Sequence, residues 1–396
     1  MSHPHVRLAI TGKSRRARAC RWGLWLAKYE DTCAALAIAM SAGAPVLLWG
    51  GPGVGKTSVI EQIAEINGWH LETVIASICD PTDFKGMPRD AGDRTEFSPP
   101  DWAVRVAQAG GGIVFLDEIS TAPPSVQAAL LRPVLTGVVG DLRLPAATRF
   151  VAAANPPDEA ADGWELSAPL ANRFVHLAWE VPARVVSDGF IYGFGQISVP
   201  TVSEAQALPV VAAMMRSIGA FITARPDLVH KLPASSSERG LAWPSPRSWE
   251  MAARLLGFAG ASGARAGIRQ QLLAGAVGPS AAREYLAWER ALDLPDIEKA
   301  LAAGGTIDLP TTPDRLVAVC GALVAAILGD PDMKRCDAAV NGILVDIADA
   351  GHVDLATVAL RRMSAQVLES GAVLGPAAVR HFAGLLAKMG NIKASA

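Results

Sequence analysis

Between residues 31 and 180, short unbroken apolar runs alternate with segments whose apolar residues recur every three to four positions. The runs are PVLLWG (45–50), HLETVIA (70–76), GIVFLDE (112–118), TRFVAAAN (148–155) and FVHLAW (174–179). Each is apolar over most of its length, the pattern of a strand covered on both faces. Between the first two, TSVIEQIAEIN places Val59, Ile60, Ile63, Ala64 and Ile66 on one helical stripe. Strands alternating with helices predict a parallel sheet with right-handed crossovers. After Glu180 the strand pattern fades into Ala/Leu-rich helical segments such as LPVVAAMMRSIGAFITA, SPRSWEMAARLLGFA and DRLVAVCGALVAAIL. The pattern therefore predicts a terminal segment (1–30), an α/β core (31–180), a helical block (181–304) and a helical extension (305–396). HKLPASSSERGLAWPSP (230–246) reads either as a linker or as a functional loop.

Length and composition fit this division. A chain of 396 residues is long for one core, so two or three packing units are expected. It is 51% hydrophobic and 19% charged, which argues against disorder. A net charge of −2 gives no global attraction to nucleic acid or anionic lipid. The local exception is the start, where seven Lys/Arg precede the first acid, Glu30. That segment reads as a solvated terminus, with a phosphate- or lipid-contacting arm as the alternative. The five cysteines (Cys20, Cys33, Cys79, Cys320, Cys336) form no C-x-x-C pair and suit a reducing compartment. WGLWLA is too short for a secretory h-region. Pro45 splits the uncharged stretch Thr32–Gly55, and Leu316–Gly329 falls short of the ~20 residues a span needs. A cytoplasmic chain with no membrane span is expected.

The chemistry lies at the strand ends. The run from Gly50 to Thr57 spells G-x-x-x-x-G-K-T between a predicted strand and a predicted helix, the P-loop pattern. Its glycines let successive backbone N–H groups turn around phosphate oxygens, and the helix amino terminus adds its dipole. Gly51, Pro52, Gly53, Val54, Gly55, Lys56, Thr57 and Ser58 are the candidate ATP-binding run. Lys56 suits the β- and γ-phosphates and Thr57 suits Mg²⁺. The buried run ending at Asp117 and Glu118 supplies the complementary half: Asp117 for Mg²⁺, Glu118 as general base on the attacking water.

With these motifs the sequence resembles the AAA+ ATPases, specifically the MoxR-like branch with its dynein- and midasin-related relatives. The resemblance implies an α/β P-loop NTPase core of AAA+ type, then an all-helical lid over 181–304 and a helical C-terminal extension. It assigns Asn155, in AAANPP, to the sensor 1 position that orients the lytic water. It assigns Arg173, in LSAPLANRF, to the arginine finger that acts on a neighbouring subunit's nucleotide. In WPSPRSWEMAARLL, Ser245 can cap a helix with Pro246 at its first position, leaving Arg247 in the first turn as the sensor 2 candidate; Arg239 and Arg254 are the other candidates. Residues 79–106 look like the branch's helix-2 insert, and 135–150, turning at Gly140-Asp141, like its pre-sensor-1 hairpin.

The function implied is Mg-dependent ATP hydrolysis in a homo-hexameric ring that remodels or activates a partner, with a von Willebrand factor A domain as the family's commonest partner fold. The alternative is a nucleic-acid translocase, a restriction-type subunit or a nucleotide-dependent scaffold. A translocase would need basic pore loops. Here Lys85, Arg89, Arg94 and Arg143 are offset by Asp83, Asp90, Asp93, Glu96 and Asp141. A small-molecule kinase would share the P-loop but have no use for Arg173 or the lid.

Overall fold

The computed structural model describes residues 29–156, 164–192, 202–291, 295 and 297–389; the basic segment, up to Lys28, lies outside them. Five of the predicted apolar runs form one parallel sheet: β1 (Val46–Trp49), β2 (Leu71–Ile75), β5 (Gly112–Asp117), β8 (Thr148–Ala154) and β9 (Val175–Ala178), in the order β2-β5-β8-β1-β9. The alternation of side chains along each strand divides the core. Val46 and Leu48 of β1 join Ile113, Val151, Val175 and Leu177 on one face; Leu47 and Trp49 join Val114, Leu116, Phe150 and Ala152 on the other.

The first face is covered by helices α1 (Tyr29–Ser41) and α2 (Lys56–Asn67), and the second by α3 (Asp101–Gln108) and α4 (Pro124–Thr136). Beyond the short helix α5 (Ala168–Ala171) and β9, the helical block supplies α6 (Glu204–Ala224), α7 (Pro246–Ala261), α8 (Ala266–Val277) and α9 (Pro279–Ala291). Trp249, Leu255 and Phe258 of α7, with Tyr285 of α9, belong to the same apolar cluster as the first sheet face. The helical block and the sheet thus share one continuous core. Residues 297–382 bury a separate cluster that includes Leu301, Val319, Leu323, Ile343, Leu360 and Phe382.

Helix α6 is, among the described residues, the one long and apolar enough to cross a membrane by length and composition. Phe221 near its end packs against Trp249, Tyr285 and Trp288 with ring centroids 5.3–5.5 Å apart. The stretch 230–246 is closed at its base, where Lys231 N–H donates to the Pro244 carbonyl at 3.0 Å, and His230 packs edge-on against Trp243. It is a loop closed on itself, and its Leu241 packs against the second sheet face.

Two hairpins interrupt the α/β alternation: β3 (Met87–Asp90) with β4 (Thr95–Ser98), and β6 (Val138–Val139) with β7 (Leu142–Arg143). They are locked together. Asp141 N–H donates to the Phe97 carbonyl at 2.9 Å, and its carboxylate accepts from Phe97 N–H at 2.7 Å. Asp141 is therefore a clamp between hairpins as well as a charge at a turn.

Candidate active site

The P-loop is shaped by what packs beside it. Gly50 follows β1 where its N–H donates to the Ala154 carbonyl and Trp179 N–H donates to the Trp49 carbonyl. A Cβ on Gly50 would lie 2.6 Å from the Trp179 carbonyl oxygen, so only glycine fits there. Gly55 then caps α2 with φ of 78°, the left-handed region that favours glycine. The Trp179 indole N–H donates to the Val54 carbonyl at 3.0 Å and fixes the loop's far side. Lys56 is buried, and its ammonium donates to the carbonyls of Gly50 (2.6 Å) and Gly51 (2.9 Å) and to the Asn155 amide oxygen (3.2 Å). Thr57 is half-buried beside it, while Pro52, Gly53, Gly55 and Ser58 are exposed.

The adjacent strand end completes this cluster. Asp117 is the last residue of β5, and one carboxylate oxygen accepts from Glu118 N–H at 2.9 Å. Glu118 alone among the described non-glycine residues has a positive φ, 56°. A left-handed glutamate stores strain of the kind that gathers at functional sites. The turn directs its carboxylate to Ser77, whose hydroxyl donates to it at 2.6 Å. Ser77 lies just past β2, and Ile75 of that strand pairs with Asp117. No motif in the sequence singles Ser77 out; its one signal is a hydroxyl immediately after the strand neighbouring the acidic pair. Ser120 does similar work for Asn155, accepting its backbone N–H at 3.2 Å. Lys56, Thr57, Asp117, Glu118 and Asn155 thus gather at the carboxyl ends of β1, β5 and β8, where open parallel sheets bind ligands.

Arg173 is elsewhere. It precedes β9, whose Val175 is level with Pro45 at the start of β1, while Trp179 is level with the P-loop. Four residue rises, about 13 Å of strand, separate those levels. Arg173 donates to the Pro169 carbonyl, its Nε is buried with no hydrogen-bond partner, and no carboxylate pairs with it among the described residues. Burial lowers its pKa from the ordinary guanidinium value, and the positive charge of Arg247 lowers it further. The chain joins the two arginines' surroundings directly: the Ser245 hydroxyl, two residues before Arg247, donates to the amide oxygen of Asn172, the residue before Arg173, at 2.6 Å.

Arg247 reaches that place through the start of α7. The helix begins as its sequence predicts, with Pro246 in its first turn and the Ser245 hydroxyl accepting from Ser248 N–H at 3.1 Å. The Ser248 hydroxyl accepts from Ser245 N–H at 2.9 Å, which closes a capping box. Arg247 is exposed in the first turn, and no described carboxylate pairs with it. The other two lid arginines are engaged locally. Arg239 donates to the Pro233 and Ala234 carbonyls, and Arg254 donates to the Ala42 carbonyl and pairs with Glu204.

Among solved structures, the chain is similar to a candidate ATPase from Cytophaga hutchinsonii, with 16% identity over 67% of this chain and 90% of that one and a TM-score of 0.43. It is also similar to a full-length MCM homolog from Methanopyrus kandleri, with 17% identity over 72% of this chain and 61% of that one and a TM-score of 0.36. Residues 45–174, which run from the strand feeding the P-loop to the residue after Arg173, match the family model of the AAA domain, dynein-related subfamily. With the phosphate loop, the acidic pair and four of the five sheet strands inside that match, the chain carries an AAA-type ATPase domain over those residues.

Proposed function

We propose that this ATPase is a MoxR-like motor that hydrolyses ATP in a homo-hexameric ring and uses the cycle to remodel or activate a partner protein. One observation carries the reading: two arginines brought near each other by the Asn172–Ser245 bond, with no carboxylate partner among the described residues, at the opposite end of β9 from their own P-loop. Paired cations without an acid suit an anion, and their own P-loop lies beyond the reach of a side chain from that end. A neighbouring subunit's nucleotide answers both conditions. In this reading Arg173 is the finger, and Arg247 joins it in facing the adjacent subunit.

Within each P-loop, Gly51–Ser58 cradle the nucleotide and Lys56 leaves its loop carbonyls for the β- and γ-phosphates. Glu118 draws the proton from water held by Asn155. The donor set suits magnesium: Thr57 and Asp117 offer two hard oxygens, and such an ion takes its remaining ligands from phosphate and water. Bound there, it would neutralise phosphate charge. The core (31–180) would then carry the chemistry, the lid (181–304) would present Arg247, and the extension (305–396) would remain free for partner contacts.

The MoxR-like placement is supported by the two inserted hairpins. A partner with a von Willebrand factor A domain follows from the resemblance of that branch. The hairpin charges do not favour a nucleic-acid track, since Arg94 pairs with Glu96 and Arg143 donates to the Thr136 carbonyl. Nucleotide retention and turnover test the chemistry. Lys56→Ala should lose ATP binding, whereas Glu118→Gln should retain ATP with turnover reduced about 10²–10⁴-fold. Light scattering with a non-hydrolysable ATP analogue should report a ring. Near-normal turnover in Glu118→Gln, or a monomer with the analogue at micromolar protein, would overturn the proposal.

A further inference from the structure

The residue before Arg173 makes a connection that the active-site roles do not require. Asn172 is buried, at 3% exposure, and both ends of its side-chain amide are used. The amide N–H donates to the Trp243 carbonyl at 2.9 Å, and the amide oxygen accepts from the Ser245 hydroxyl at 2.6 Å. The Trp243 carbonyl can only accept, so the amide orientation is fixed. Ser245 is the residue that caps α7, and Ser248, which closes the capping box, also donates to the Trp243 carbonyl at 3.0 Å. Asn172, the Trp243 carbonyl, Ser245 and Ser248 thus form one buried polar cluster joining the end of α5 to the start of α7.

We propose that Asn172 is a positioning residue that holds Arg173 and Arg247 in register as a single trans-acting pair. One side chain follows the finger's own backbone, while its partners are the cap of the helix whose first turn carries Arg247. Two like charges held close repel, so their alignment needs a fastening that is itself uncharged. A buried amide bonded at both its nitrogen and its oxygen provides one. Movement of the lid relative to the core would then move Arg247 against Arg173 only by breaking this cluster. The proposal rests on the trans-acting reading given above.

The test uses full-length chains assembled with ATP. Asn172→Ala should bind nucleotide with unchanged affinity and form rings, but lower kcat about 10–100-fold, the scale of a misplaced catalytic group. Because the damage lies on the face offered to a neighbour, co-assembly with Glu118→Gln subunits should restore part of the turnover. Those subunits cannot hydrolyse ATP but present intact arginines to the Asn172→Ala P-loop. Ser245→Ala, which removes the hydroxyl that both faces Asn172 and caps α7, should show the same kcat loss and the same recovery, and decides the matter if Asn172→Ala does not fold. Arg173→Ala mixed with Glu118→Gln is the control for the underlying reading. Recovery in that control without recovery for the Asn172 or Ser245 variant would show that the cluster serves its own subunit's fold, and would overturn this inference alone. No recovery in the control would overturn the trans-acting reading and this inference with it. Unchanged kcat in a folded Asn172→Ala or Ser245→Ala ring would also overturn it.

Discussion

The two ends of the sheet are built on opposite electrostatic plans. At the carboxyl end, cation and anion are both present and both occupied: Lys56 rests on two loop carbonyls and Asn155, and Glu118 rests on Ser77. At the amino end of β9 two arginines sit together without a described carboxylate, and the buried Nε of one has no partner. The first end is a self-contained cradle; the second carries positive charge with no carboxylate to receive it among the described residues. That difference is what a site divided between copies of one chain requires, because each copy must carry an acceptor at one end and a donor at the other.

Removing the donor should have the largest effect. A finger guanidinium stabilises charge on the transferring phosphoryl, so Arg173→Ala should lower ATP turnover about 10³–10⁵-fold while leaving nucleotide affinity intact. Arg247→Ala should cost less, about 10–100-fold, the value of one charge-assisted hydrogen bond. Steady-state turnover beside equilibrium nucleotide binding separates the two. If Arg247→Ala instead abolished binding to its own P-loop, the two ends would not be independent.

A smaller effect probes how the amino end is held. The His176 ring on β9 accepts from the Trp49 indole N–H at 2.9 Å and donates to the Ala171 carbonyl at 2.9 Å. Full burial pushes its pKa down to about 4, against the opposing pull of the Ala171 bond. The unfolded chain takes up this proton near pH 6.5 and the folded chain does not. Stability from this group is therefore complete above about pH 6.5 and is lost as the pH falls towards 4, to a total of about 3 kcal/mol. Denaturant unfolding across that range should show the extra slope in the wild type and not in His176→Phe. Equal slopes would mean that the histidine titrates normally when folded.

The smallest effect concerns the hairpins, which belong to neither end. Asp141→Ala should leave basal turnover unchanged and remove about 1 kcal/mol of local hydrogen bonding. Hydrogen exchange should then show faster exchange at the Phe97 amide. An unaltered amide would mean that the carboxylate bond does not help to hold the hairpins together, which would leave the backbone bond from residue 141 to the Phe97 carbonyl.

How much of this was legible in the sequence follows from where the information lies. The five strands were readable because each is an apolar run ended by a turn, and the structure trims them by only a residue or two. The P-loop and the acidic pair were readable because their spacing is local. The pattern ranked Arg247 above Arg239 and Arg254 because it falls in a capped first turn; the carbonyls and Glu204 that occupy the other two are visible only in the folded chain. Ser77 and Asn172 carry no pattern of their own. Their partners are 41 and 71–73 residues away, and only the folded chain brings them together. Asp141 was read as one charge among several at the hairpins; its bond to Phe97, 44 residues away, gives it a second role.

The division of the site between subunits is tested most directly by mixing two inactive chains. Arg173→Ala retains an intact P-loop, and Lys56→Ala retains an intact arginine pair. Each alone should be nearly inactive. Co-assembled in rings shown by mass to contain both, they should regain part of the wild-type ATP turnover, because some interfaces then join an intact P-loop to an intact Arg173. No recovery in demonstrably mixed rings would contradict the account and leave Arg173 as a residue that serves its own fold.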